Sequence, residues 1–325
     1  MWFVLGWMLL ACREGEIPEF GVYSPERALV GDEQTSVQGL TLLRVEATTF
    51  RMGSPETENG RQPHPESDQN VESSETPFVV TLTEDFYLSS TEVTRGLWFD
   101  YADDDQLGDA NCVDDDCPIQ FISWNMAVGF TNYLSQREGL VACYDCIGSG
   151  RDIQCTVKDQ FQGEGIYRCA GFRLPTEAEW ELAARAGSTS ALWTPNGGGE
   201  LPTGIPFDCG DHLLSDGTRL GTLAWFCGVT DQAQPVGLLE PNGFGFYDLH
   251  GNVWEWTHDR FDFYPLDATT NHVGTGYEEH TLRGGRWGNE PYAMRAAKRI
   301  QSESDFWDGN YGFRVAIRAT SIDQQ

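Results

Sequence analysis

At 325 residues, with 40% apolar and 12% aromatic content, the chain is globular and long enough to bury one large core or two small ones. Its formal charge of −29, with only two lysines (Lys158 and Lys298), excludes partners that need a basic footprint, namely nucleic acid and anionic membrane surfaces. Thirty-six glycines and fifteen prolines predict many turns and few long helices.

The chain opens with MWFVLGWMLLAC, an apolar run too short to span a bilayer as a helix and suited to the apolar region of a signal peptide over residues 1–11. Its LLAC ending resembles a bacterial lipobox, which implies lipidation of Cys12 and a Glu-, Pro- and Gly-rich tether over residues 12–39. The expected location is the bacterial cell envelope, lipid-anchored on the periplasmic or outer side, with secretion as the alternative. No Lys or Arg precedes the apolar run, so the start of translation is expected several codons upstream. The body of the protein is expected over residues 40–320.

Residues 54–76, SPETENGRQPHPESDQNVESSET, read as a polar insertion loop. FVVTLTEDFYLSSTEVT and YGFRVAIRA read as strand-rich pieces. Two helices are predicted. SWNMAVGFTNYLSQREG starts at Ser123 as N-cap and stops at Gly139. PTEAEWELAARAG carries a capping box, Thr176 with Glu179, and closes at Gly187.

Setting Cys12 aside leaves eight cysteines, Cys112, Cys117, Cys143, Cys146, Cys155, Cys169, Cys209 and Cys227, most of them in a Cys-rich insertion over residues 108–170. An even count behind an export signal reads as disulfides. In NCVDDDC, Cys112 and Cys117 close a small loop, and Cys209 with Cys227 stand alone in their region. The Gly-Ser-Gly centre of CYDCIGSGRDIQC suggests a hairpin with Cys146 facing Cys155, which leaves Cys143 for Cys169. A four-sulfur zinc site is the alternative for the Cys-x2-Cys group. The acidic residues of DDDC read as a solvated loop.

FRMGS, FYLSSTEVTRGLW, ISWNMAVGFTNYL, GFRLPTEAEWELAARAG, NGFGFYDLHGNVWEW, LRGGRW and YGFRVAI occur in the order found in the formylglycine-generating enzyme, or sulfatase-modifying factor, family. The resemblance runs from about Leu40 to Ala319. It implies an α+β fold, a variant of the C-type lectin fold with little regular secondary structure. It also implies calcium at NGFGFYD, held by Asn242, Gly243, Gly245 and Tyr247 through an amide oxygen and backbone carbonyls, the hard ligands that this ion takes. The rival reading of Asn242-Gly243 is a plain turn. Gly251 would allow a tight turn before Trp254 and Trp256, which would pack in the core.

The resemblance further implies an activity carried by two cysteines after the RGG motif, which bind copper(I) and oxidise a substrate cysteine to formylglycine. Here the matching segment, residues 283–299, holds no cysteine, and none follows Cys227. Asn289, Tyr292 and Met294 do not replace two thiolates for a soft ion. No copper is therefore expected. The six histidines are scattered, and no nucleophile, zinc-protease or phosphate-loop motif is present. Glu255 and Asp259 read as structural carboxylates. The expected function is binding of a peptide, protein or glycan in a pocket formed by Arg286, Trp287, Asn289, Tyr292 and Trp307, without catalysis. The alternative is a formylglycine-type oxidase or another metal-dependent oxidoreductase.

Overall fold

A computed structural model describes residues 34–61, 75–102, 110–204 and 208–323. The expected signal peptide, Cys12, most of the tether and the middle of the polar loop lie outside the described residues.

Short strands dominate, as the glycine count requires. β1 (Gln34–Val37), β2 (Leu40–Val45), β5 (Phe86–Ser89) and β13 (Ala316–Arg318) form one sheet in the order β1-β2-β5-β13. A second runs β11-β10-β8-β12, from β8 (Trp254–Arg260), β10 (His280–Arg283), β11 (Arg299–Ser302) and β12 (Tyr311–Phe313). β3 (Thr49–Met52), β4 (Phe78–Thr81) and β9 (Thr269–Thr270) make a third, and β6 (Tyr144–Ile147) pairs only with β7 (Gln154–Val157). One apolar cluster joins the sheets and helices, from Leu42 and Leu88 through Trp124 and Trp180 to Trp256 and Ile317.

Residues 34–39, expected in the tether, belong to the fold. Gln38 and Gly39, at φ 51° and 83°, turn the chain so that β1 pairs antiparallel with β2. Two successive positive φ values suit a tight hairpin, which Gly39 permits but Gln38 does not advertise in sequence.

Both helices form. α2 (Trp124–Arg137) starts where the Ser123 hydroxyl accepts from the Met126 amide, and Gly139 follows its end at φ 69°. α3 (Glu177–Arg185) carries the complete Thr176–Glu179 capping box, and it is Ala186, at φ 41°, that adopts the left-handed cap before Gly187. α1 (Arg95–Phe99) is a single short turn capped by Thr94.

The cysteines pair as their spacing suggests: Cys112–Cys117, Cys143–Cys169, Cys146–Cys155 and Cys209–Cys227. Cys146 and Cys155 face each other directly across β6 and β7. The zinc alternative is thereby set aside, because a disulfide sulfur carries no thiolate charge for the ion. Four disulfides fit an extracellular or envelope compartment.

Candidate functional site

The interior is charged as well as apolar. Arg173, Arg185, Arg283, Arg295, Arg299 and Arg314 are all buried, and each meets a buried glutamate. Arg283 binds Glu181 at 2.5 Å and reaches Glu177 at 3.4 Å, while Arg299 takes the other Glu177 oxygen at 2.5 Å. Arg314 holds Glu255 at 2.6 and 2.8 Å, and Trp180 donates to the same carboxylate. Asp259 accepts from the Glu177 and Gly274 amides at 2.8 Å. Burial, then the nearby Glu177 charge, pushes Asp259 up to about 8. Glu255 and Asp259 thus serve different structural networks.

These networks frame the segment 283–299. Gly284 and Gly285 leave β10 at φ 96° and 79°, and a side chain at Gly285 would meet Met294 and the Ala293 backbone. A turn follows in which the Arg286 amide donates to the Asn289 side chain and the Asn289 amide to the Arg286 carbonyl. Arg286 lies over the Trp287 ring at 5.3 Å. Trp287 packs on Cys112, Cys117 and Val253, and the Asn289 carbonyl accepts from Cys227. Arg286, Trp287 and Asn289 therefore share one turn, wedged between two disulfides. Tyr292 sits on the next turn, near Gly60 and under the Lys298 ammonium. Trp307 packs elsewhere, against Arg151 at 4.0 Å and Phe121 at 6.1 Å. Three of the five residues expected in the pocket thus share one packed turn.

The loop read for calcium is also tightly bonded. The Asn242 side-chain oxygen accepts from the Phe244 and Phe246 amides at 3.0 and 3.1 Å, and its amide donates to the Ala183 carbonyl at 2.7 Å. The Tyr247 carbonyl accepts from Arg314 at 3.0 Å. Two N–H dipoles and a guanidinium beside these oxygens oppose a cation there, so Asn242 and Tyr247 do not fit the ligand roles that the resemblance implies. The Gly243 and Gly245 carbonyls are the remaining hard donors of that set. Downstream, Gly251 at φ 99° lets the Trp225 carbonyl approach within 1.9 Å of where a Cβ would stand, and Trp254 and Trp256 are buried behind it.

A cavity opens among the described residues of the Cys-rich insertion. It measures about 400 Å³ and lies between α2 and the β6–β7 hairpin, with Tyr101, Tyr133, Gln136, Asp145 and Lys158 on its walls. Sequence reasoning missed it because helix and hairpin meet only in three dimensions. The signal available was the tyrosine and amide content of TNYLSQ and CYDC.

A C-type-lectin-like α+β body stapled by four disulfides, with an RGG turn beside a Gly-Asn-Val-Trp-Glu-Trp strand, defines the sulfatase-modifying-factor class of fold. The chain belongs to the family of sulfatase-modifying factor enzyme 1-like domains, whose model matches residues 27–319. A formylglycine-generating enzyme of Streptomyces coelicolor is 35% identical over 162 residues, 46% of this chain and 48% of that protein. An inactive Cα-formylglycine-generating enzyme 2 of Mus musculus is 32% identical over 177 residues, 48% of this chain and 46% of that protein. The chain therefore spans about half the length of these curated relatives. The structure of PvdO from Pseudomonas aeruginosa aligns at a TM-score of 0.60 and 25% identity over 88% of this chain and 98% of that one.

Proposed function

We propose that this protein is an exported sulfatase-modifying-factor-like module that works by binding a peptide, protein or glycan and does not make formylglycine. The reading is carried by one observation: among the described residues every cysteine is in a disulfide, and residues 283–299 contain no sulfur ligand beyond Met294. Copper(I) oxidation of a substrate thiol needs soft thiolate donors, and a single buried thioether is a poor substitute. The wedging of Trp287 and Asn289 between the Cys112–Cys117 and Cys209–Cys227 disulfides supports a structural use of the same turn. The family includes a relative named inactive, so loss of the oxidase within this fold has a parallel. Lipidation at Cys12 would hold the module at the envelope.

The test is mass spectrometry of a cysteine-containing sulfatase-type peptide incubated with the full-length protein, copper(I) and oxygen. The peptide should return unchanged. Aldehyde product that disappears on mutating Cys209 or Cys227 would make the chain an enzyme.

A further inference from the structure

We propose that the cavity between α2 and the β6–β7 hairpin binds a neutral saccharide. The inference gives the binding reading a place and a ligand class, and it rests on that reading. Its volume of about 400 Å³ falls at the small end of small-molecule clefts, the scale of a mono- or disaccharide.

The walls are fixed before any ligand arrives. Cys143–Cys169 and Cys146–Cys155 pin the hairpin. The Asn132 amide donates to the Tyr144 carbonyl at 2.9 Å and its oxygen accepts from the Tyr144 amide at 3.4 Å, which ties the hairpin to α2. On the other wall, Tyr101 and Tyr133 stand with ring centroids 5.1 Å apart. Tyr101 is braced edge-on by Trp98 at 5.2 Å and Phe130 at 5.6 Å. The Tyr133 hydroxyl donates to the Asp100 carbonyl and accepts from Arg137, so its ring is held in one orientation.

Gly129 sets how closely Ile153 and Tyr101 approach α2 at the edge of the cavity. It lies inside α2, where glycine costs helix stability relative to alanine. A Cβ there would come within 2.7 Å of the Ile153 side chain and 3.0 Å of the Tyr101 hydroxyl, so both of these lining residues would have to shift.

The chemistry of the lining selects the ligand. Tyrosine rings in a wall can take the C–H side of a sugar ring, and at Tyr133 the Arg137 guanidinium already lies over the ring at 5.5 Å. The exposed Gln136 amide both donates and accepts. Asp145 and Lys158 stand 3.8 Å apart and place an acceptor beside a donor, the pairing that a hydroxyl group answers on both counts. Their charges cancel locally, and the −29 of the whole chain repels anions, so an acidic sugar is disfavoured. A quaternary ammonium ligand would suit the rings but not the Lys158 ammonium.

The probe is an array of immobilised neutral and acidic oligosaccharides, followed by calorimetric titration of full-length protein with the best disaccharide. Binding to neutral sugars is expected. Gly129→Ala should displace Ile153 and Tyr101 and weaken binding at least about tenfold, a free-energy change of roughly 1.4 kcal/mol, while Tm moves little because the helix gain of alanine offsets the clash. Gln136→Ala and Asp145→Ala, both at exposed positions, should weaken it several-fold with Tm unchanged. The proposal is overturned if no neutral saccharide binds at millimolar concentration, if only acidic ones bind, or if all three variants bind within about twofold of the parent. Aldehyde formation on the sulfatase-type peptide would sink the non-catalytic reading and leave saccharide binding to be judged separately on the array.

Discussion

Arg295 clamps both ends of the polar loop, and removing it should expose how the loop is held. Its guanidinium meets Glu58 at 2.7 Å and Glu75 at 2.9 and 3.1 Å, and all three side chains are buried. Burial alone would raise both carboxyl groups. At Glu75 burial is the largest single influence and raises the pKa, but the Arg295 charge and hydrogen bonds, joined by Lys298 and the Ser54 hydroxyl, together outweigh it and hold the pKa at about 2. At Glu58 burial prevails and the pKa is raised. A fall from 4.5 to about 2 is worth roughly 3 kcal/mol, at ~1.4 kcal/mol per unit. Arg295→Met also strands two buried carboxylates, so the expected loss at pH 7 is about 3–5 kcal/mol by urea denaturation. A depressed carboxylate pKa stabilises the fold fully above the unfolded value of 4.5 and loses that contribution as pH falls through about 2. The gap between parent and variant should therefore narrow between pH 5 and pH 3. In parallel, proteolysis near residues 54–61 should accelerate. A loss under about 1 kcal/mol at pH 7, or a gap that stays constant down to pH 3, would refute the electrostatic account.

Thiol titration of the denatured domain over residues 34–323 should find no free thiol, and four or more with bound zinc would restore the metal alternative. Asn242→Ala should lower Tm with or without chelator, because the side chain bonds three backbone groups; a chelator effect present in the parent and abolished in the variant would reinstate Asn242 as a calcium ligand. Glu92 is fully buried beside Asp248 and Glu255, neither of its oxygens has a hydrogen-bond partner among the described residues, and burial raises its pKa well above the usual range. A raised carboxyl pKa penalises the fold increasingly as pH climbs above the unfolded value of 4.5, so Glu92→Gln should stabilise at pH 7–8 and lose that advantage near pH 5. A Tm drop at pH 8 would refute it.

What the sequence disclosed and what it concealed divide along physical lines. Helix caps and disulfide loops are written in local spacing: Ser123, Thr176 with Glu179, and Cys146 facing Cys155 all act within a few residues of one another or across one hairpin. The family resemblance supplied the fold. The binding site was not legible in the same way. Arg286, Trp287 and Asn289 are neighbours in sequence and in space, yet their surroundings, Cys112, Cys117 and Cys227, come from far along the chain. The Asn242 loop reads equally as a turn or a cation site, and only the donors at its oxygens separate the two. Residues 34–39 lack a turn signature strong enough to distinguish a hairpin from a tether.

The buried arginines explain how so little regular structure holds together. A loop cannot satisfy its own carbonyls as a helix does, and an unpaired buried carbonyl costs free energy. A guanidinium offers five donors in a plane, so one side chain can bond a carboxylate and still reach loop carbonyls. Arg283 does this at the Ala296 and Ala297 carbonyls, Arg314 at Ser89 and Tyr247, and Arg185 at Gly53 and Ser190. Lysine, with a single ammonium, could not make these forked contacts, and the chain has only two. The arrangement also shapes the outside. Among the described residues six arginines are inside, paired to buried glutamates, and most of the chain's excess of carboxylates is left to the surface. Such a surface repels anionic partners and leaves the cavity beside Lys158 and Asp145 suited to ligands recognised through hydroxyl groups and ring faces instead of net charge.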